Sequence, residues 1–316
     1  MLPPEECPRD FVWEVLMKPS LITDEISSDP ETAFELGREW GIRDFELRGY
    51  FTDRAPMLSP YQKRRLREMV TGYGVNIFAL SPGLFKMPYP LADPACSNLG
   101  WMDRAFFDAW SSARSAVDFH LNELLPASLD YANELGAQLV ICFSFHRGGR
   151  AAGAPPDEVL ECLSRAAERA RQAGLTLAVE TEEGFWADTG ARSAEIVRKI
   201  NHAALGINWD PANSFCEGDV PFPDGYAAVR GLVRDVHFKD ARRRPDGAAE
   251  FVLEGEVNWA GQIAALQRDG YRGFISIEPH LRPRIASVRT SLERLRVLIA
   301  DRDAQPSQRS KFTATN

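Results

Sequence analysis

Four segments of the 316-residue chain end in, or one step after, a residue able to hold a cation or move a proton. LTLAVE ends in Glu180, LGINWD in Asp210 and GFISIE in Glu278, while VRDVHFKD carries His237 near its end. In a strand, alternate side chains share a face, so Asp235, His237 and Lys239 point one way while Val236 and Phe238 point the other. The intervals from Glu180 to Asp210, His237 and Glu278 are 30, 27 and 41 residues. The first two fit one strand–helix unit each, and the third fits a unit plus an inserted loop. Two Glu, one Asp and one His make an oxygen-rich set with a single imidazole. That set suits Mn2+, Mg2+ or Co2+ better than a thiolate-bound structural zinc. An open coordination position would let adjacent carbonyl and hydroxyl oxygens of a sugar reach the ion. Taken one at a time, a strand-tip carboxylate is usually a loop cap or ion-pair partner, and a lone His a satisfied core residue. Their shared placement at these intervals is what points to a metal site.

The elements that must carry these residues follow from periodicity and caps. Strands are expected at Ser20–Ile26, IRDFELR, VNIFALS, AQLVICFSF, TLAVE, LGINWD, VRDVHFKD and GFISIE. Between them, Ser28-Asp29-Pro30 caps a helix over Glu31–Trp40, and Pro60–Thr71 follows. Leu121, Leu124, Leu125, Leu129, Ala132 and Leu135 recur at helical spacing within Ser112–Gly136. Further helices are expected at Pro156–Ala173, Ser193–Ile200, Asp224–Leu232, Trp259–Asp269 and Ile285–Ala300. Eight strands alternating with helices predict a single α/β domain, a (β/α)8 TIM barrel over residues 1–300, with its site at the C-terminal strand ends. Strand faces agree: Thr176, Ala178 and Glu180, or Gly206, Asn208 and Asp210, form a small or polar set facing inward, opposite a large apolar set facing the helices. Residues 1–18 read as an irregular arm. Pro82–Met102, with Phe85, Tyr89 and Trp101, reads as an excursion over one face, and residues 301–316 as a polar, frayed tail.

Composition narrows the classes. Hydrophobic content of 44% and charged content of 26% fit a soluble globular protein with a large core. A net charge of −8 argues against a nucleic-acid surface. MLPPEECPRD has no basic, apolar leader pattern, and no segment has the length of a membrane span. The five cysteines are odd in number, widely spaced and free of a CxxC pair, which suits reduced thiols in a cytoplasm.

On VETEEG around Glu180, NWDPAN around Asp210, VHFKDAR around His237, LEGEVNW at Leu253–Trp259 and SIEPH around Glu278, the chain resembles a known superfamily. This is the sugar isomerase/epimerase superfamily of barrels, which includes xylose isomerase, ketose 3-epimerases, hydroxypyruvate isomerase and inosose dehydratase. The layout matches over nearly the whole chain, and the specific motifs lie within residues 175–280. The resemblance implies that Glu180, Asp210, His237 and Glu278 bind a divalent metal, Mn2+ first, with Mg2+, Co2+ and Zn2+ as alternatives. It implies that the two Glu exchange protons with the substrate, a keto-sugar or polyol derivative, through an enediolate. The activity expected is an isomerase or epimerase. The alternative is a metal-dependent lyase, an inosose dehydratase-like enzyme or a keto-glycoside eliminase.

Arg243 matches an arginine that lies by the metal–substrate complex in the epimerases, or else belongs to a solvated Arg242–Arg244 run. Lys239 is either a contact to substrate oxygens or an ion-pair partner of Asp235 or another barrel carboxylate. His146 ends strand four as a substrate contact, an extra base or a structural residue, and Glu46 is a further contact on strand two. Two positions depart from the pattern. Asn213 stands where many relatives carry His, and it can hydrogen-bond a hydroxyl but not carry a proton. Trp186 stands where some ketose epimerases carry a Glu that contacts the sugar. Both point away from a free ketohexose and leave the metal chemistry intact. An apurinic-site endonuclease shares the barrel but uses several metals and more His than the five here. An idle sugar-binding barrel would have no need of the Glu pair. Barrels of this kind often form homodimers or homotetramers.

Overall fold

The structure is a computed structural model that describes residues 17–88, 113–148 and 150–303. The expected arm up to residue 16, Tyr89, Trp101 and the tail beyond 303 lie outside the described residues. Eight strands form the barrel: β1 (Lys18–Ile22), β2 (Asp44–Leu47), β3 (Asn76–Leu84), β4 (Leu139–Cys142), β5 (Thr176–Glu180), β6 (Leu205–Trp209), β7 (Val233–Phe238) and β8 (Phe274–Ile277). All neighbours pair in parallel, and β8 closes onto β1 with Ser276 opposite Ser20. The helices are α1 (Pro30–Glu39), α2 (Pro60–Tyr73), α3 (Ala113–Phe119, His120–Leu124 and Leu125–Leu135 in succession), α4 (Asp157–Gln172), α5 (Gly190–Ile200), α6 (Tyr226–Val229), α7 (Trp259–Arg268) and α8 (Arg284–Asp303). No helix among the described residues is long and apolar enough to cross a membrane.

Local chemistry accounts for these boundaries. Asp29 accepts from Glu31 N to start α1, and Ser59 and Gln62 form a reciprocal capping box at α2. Proline stands at the start of both helices, where a missing N–H costs nothing. The outward strand residues Leu177, Val179, Ile207, Trp209, Val236, Phe238, Ile275 and Ile277 belong to one large apolar core shared with the helices. Burial of each such side chain is worth about 1.5–3 kcal/mol, which fixes the strands whose opposite faces line the barrel. Inside, Ala79, Leu139, Ile141 and Ala178 form a separate small cluster, and the Phe78 and Phe274 rings stack 4.0 Å apart. The expected division of faces therefore holds on β5, where Ala178 faces inward and Leu177 and Val179 outward.

Three boundaries differ from expectation. The segment expected to be strand through Ile26 turns into a short helix at Thr23–Ile26. The stretch after β7, read as a polar loop, is an antiparallel hairpin that pairs Asp240–Arg243 with Ala249–Val252. A smaller hairpin after β2 pairs Gly49–Tyr50 with Asp53–Arg54. It requires glycine, because a Cβ at Gly49 would lie 2.5 Å from the Asp53 carbonyl oxygen. In the LEGEVNW segment, a Cβ at Gly255 would lie 2.3 Å from the Ala241 carbonyl oxygen. That close approach lets Asp240 Oδ1 accept from Val257 N at 3.0 Å and Trp259 Nε1 donate to Lys239 O at 2.9 Å. The tip of β7 is clamped as a result.

Candidate metal centre

Glu180, Asp210, His237 and Glu278 converge, with ligand atoms that all lie within 4.8 Å of one another. All four residues are buried. Each reaches the cluster by a different local device. Glu180 is the last residue of β5, opposite Asn208 of β6. Glu278 follows β8 directly, and its N–H extends the ladder by donating to Phe238 O at 3.0 Å. His237 lies on the inner face of β7, opposite Ser276. Asp210 is the N-cap of the Pro211–Cys216 turn, and its Oδ1 accepts from the N–H groups of Ala212 and Asn213, both at 2.9 Å. The cap fixes one oxygen and leaves Oδ2 facing the cluster.

The imidazole of His237 divides the site in two. Nδ1 lies 3.0 Å from Glu278 Oε2 and 3.4 Å from Glu180 Oε1. Nε2 lies 3.0 Å from Glu46 Oε2 and 2.9 Å from Asn208 Nδ2. A proton on Nε2 donated to Glu46 leaves the Nδ1 lone pair for a cation, the usual way an outer carboxylate sets a ligand tautomer. Lys239 Nζ bridges Asp210 Oδ2 at 2.8 Å and Glu278 Oε2 at 2.9 Å. Arg48 bonds Glu278 directly and lies 3.6 Å from Glu46 and 3.7 Å from both Asp24 and Glu25.

Burial and charge pull these groups in opposite directions. Burial disfavours the Glu278 anion, but Lys239, Arg48 and His237 outweigh it and hold its pKa well below the usual carboxylate range. Burial also opposes the charge on His237, yet Glu278, Glu46 and Glu180 raise its pKa well above the ordinary imidazole value. For Asp210 burial wins over Lys239, and its pKa rises to about 6. The donor set fits a divalent cation. It offers three carboxylates and one imidazole, and Glu180 Oε2 is buried without a hydrogen-bond partner among the described residues.

The profile of the xylose isomerase-like TIM barrel family matches residues 34–298. The chain belongs to this family. Among solved structures, a D-tagatose 3-epimerase-like protein superposes with a TM-score of 0.65 at 19% identity, covering 91% of this chain and 98% of that one. The probable 3-DHS dehydratase AsbF of Bacillus anthracis, involved in petrobactin synthesis, gives 0.63 at 16% identity, covering 89% and 99%. A xylose isomerase-like TIM barrel protein from Mycobacterium smegmatis, in complex with magnesium, gives 0.60 at 18% identity, covering 86% and 89%. At these identities the likeness is one of fold.

Within this xylose isomerase-like barrel the other expected residues are dispersed. Lys239 joins the four ligand candidates as an ion-pair partner of Asp210 and Glu278, not of Asp235. Glu46 is fully buried behind His237 and holds the far side of the imidazole. Asn213 Nδ2 donates to Thr181 O at 3.0 Å and Glu182 Oε2 at 2.8 Å, which braces the β6 turn against the end of β5. Trp186 packs in the main apolar core, with its backbone N–H bonded to Phe145 O. His146 Nδ1 accepts from Gly148 N at 2.9 Å, and its ring stands edge-on to Phe185 at 5.4 Å. Arg243 is exposed on the hairpin, where it stacks over Phe215 and donates to Phe215 O at 2.6 Å.

Other residues at the centre had no role assigned from sequence. Arg48 shares the face of Glu46 at the tip of β2, and that parity was its only signal. Asp235 Oδ2 accepts from Ser276 Oγ at 3.2 Å beneath His237. Glu25 accepts from His280 N at 3.0 Å and lies 2.7 Å from its Nδ1, which anchors the β8 loop beside Glu278. Neither contact has a local sequence signature.

Proposed function

We propose that the chain is a divalent-metal-dependent isomerase or epimerase acting on a keto-sugar or polyol derivative. The reading is carried by two buried glutamates, Glu180 and Glu278, that flank the same imidazole nitrogen from strands three places apart in the barrel order. When bound by Glu180, Asp210, His237 and Glu278, a cation such as Mn2+ (or Mg2+, Co2+ or Zn2+) supplies Lewis-acid polarisation of a substrate carbonyl. Glu180 is suited to take the proton from the carbon next to that carbonyl, because its Oε2 has no hydrogen-bond partner among the described residues. Once protonated, Glu180 returns that proton to the neighbouring carbon of the enediolate. Glu278, kept ionised by Lys239 and Arg48, is a second base on the other side that must first gain a proton before it can complete an epimerisation. The arrangement accounts for exchange of configuration or of carbonyl position without any further cofactor. Each acid–base step contributes about 10²–10⁴-fold.

A carbon–oxygen lyase is the second reading, and one observation favours it. The Lys239 ammonium, 2.9 Å from Glu278, stands where it could protonate a departing hydroxyl. Burial works against its charge, but Asp210 and Glu278 raise its pKa well above the ordinary lysine value, which makes it a weak acid. Isomerisation therefore leads. Glu180→Gln and Glu278→Gln should each lower turnover by about 10²–10⁴-fold while the melting profile stays that of a folded barrel. Near-normal turnover in both variants would remove the two glutamates from the mechanism.

A further inference from the structure

We infer that Arg54 and Ser81 form a subsite for a carboxylate carried by the substrate, so that the molecule turned over is a keto-acid and not a neutral ketose. The inference rests on the metal-dependent sugar chemistry proposed above and narrows its substrate class.

Several cations around the barrel mouth are matched to carboxylates: Arg48 pairs with Glu278, Lys239 with Asp210 and Glu278, Lys86 with Glu182, and Arg147 with Asp188 and Glu217. Arg243 is instead held by Phe215 and its carbonyl. Arg54, among the described residues, forms no ion pair. It ends the hairpin after β2, and its Nε donates to Ser81 O at 3.1 Å. Its guanidinium lies along Gly83, where a Cβ would come 3.4 Å from Nε. An arginine has five N–H donors, so four remain for a ligand. Strand alternation puts Ser81 on the inner face of β3 with Ala79, one step nearer the mouth. Ser81 is fully buried, and its hydroxyl has no hydrogen-bond partner among the described residues.

Among the described residues, a guanidinium with no ion pair and, on the residue it bonds, a buried hydroxyl with no partner each cost stability that an oxyanion reaching both would recover. Burial, then the Arg48 cation, lowers the Arg54 pKa, while Asp24, Glu46 and Glu180 pull it upward without forming a contact. The hairpin that follows β2, and the Arg54 bond to Ser81 on β3, put the guanidinium at the C-terminal mouth of the barrel, where the candidate metal ligands also lie. The planar fork of arginine matches a carboxylate bidentately. One arginine and one serine are a poor complement to the three oxygens and double charge of a phosphate.

The test is calorimetric titration of the full, Mn2+-loaded chain with D-fructose, D-fructuronate and D-fructose 6-phosphate. The expected result is about tenfold or greater preference for the acid over the neutral sugar in the wild type. Arg54→Gln should abolish that preference without changing affinity for D-fructose or Mn2+, Arg54→Lys should restore part of it, and Ser81→Ala should lose a smaller share. Equal binding of acid and neutral sugar overturns the inference alone. So does a preference that survives Arg54→Gln, or tighter binding of the phosphate. Binding of none of the three by metal-loaded protein overturns the sugar chemistry as well.

Discussion

Asp210 meets two demands with one carboxylate: Oδ1 caps a helical turn while Oδ2 faces the metal ligands and Lys239. Its pKa near 6, raised by burial, sets a pH dependence whose sign is fixed. A carboxylate must be ionised to ligate, so protons compete with the cation below that pKa and leave it alone above. Mn2+ affinity already falls with pH through protonation of His237, and protonation of Asp210 should add about a further tenfold loss per unit below pH 6, as followed by calorimetry. A profile that does not steepen below pH 6 would take Asp210 out of the ligand set. Glu46 tests the other side of the site. Its carboxylate accepts from the His237 nitrogen turned away from the cluster, so Glu46→Gln should weaken Mn2+ binding by about 10–100-fold with the fold retained. Unchanged affinity would mean that packing alone orients the imidazole. The sequence placed Glu46 on the right face, and four of the five residues in the buried cluster were read as metal ligands from strand-tip chemistry alone. Parity cannot tell a side chain that faces substrate from one a layer deeper: Glu46, expected as a substrate contact, lies behind His237, and Asn213, singled out by the resemblance, bonds Thr181 O and Glu182.

Elements were legible where one physical signal dominated. Alternation and caps located the barrel strands and α1, α2, α4 and α7 to within a few residues. The hairpin after β7 was not legible, because its strands are short and rich in charge, held partly by pairs such as Arg242 with Glu250 at 2.7 Å. The wide turn at His120–Leu124 inside α3 was equally silent, since its apolar residues keep a helical spacing. That turn carries a consequence for stability. His120 is buried, and its Nδ1 accepts from Phe85 N at 2.7 Å. Burial lowers its pKa from 6.5 to about 3, so the neutral ring is the folded form. The unfolded chain takes up a proton below pH 6.5 that the folded chain refuses until about pH 3, and stability contributed above pH 6.5 is lost progressively as pH falls through that window. Urea melts should show this group costing about 2 kcal/mol between pH 6.5 and 5, and His120→Gln should flatten that part of the slope. An unchanged slope in the variant would assign the acid sensitivity elsewhere.

At the scale of the molecule, eight alternations of strand and helix implied a barrel, and closure of β8 onto β1 completes it. What the sequence could not carry was the interior: the stacked Phe78 and Phe274 rings, and the chain of contacts from Ser20 through Ser276 and Asp235 to His237. Such contacts join residues up to 256 positions apart and depend on register across the closed sheet. They hold four ligand groups at fixed separation, and that preorganisation is the basis of the proposed chemistry. The most direct test is proton NMR in D2O of catalytic amounts of Mn2+-loaded chain with a panel of ketoses, keto-acids and 3-keto-sugars. The account predicts deuterium at a single carbon next to the carbonyl, with a new epimer or isomer, and loss of the exchange on chelation. Exchange that is indifferent to metal, or none on any panel member with Mn2+ bound, would contradict it.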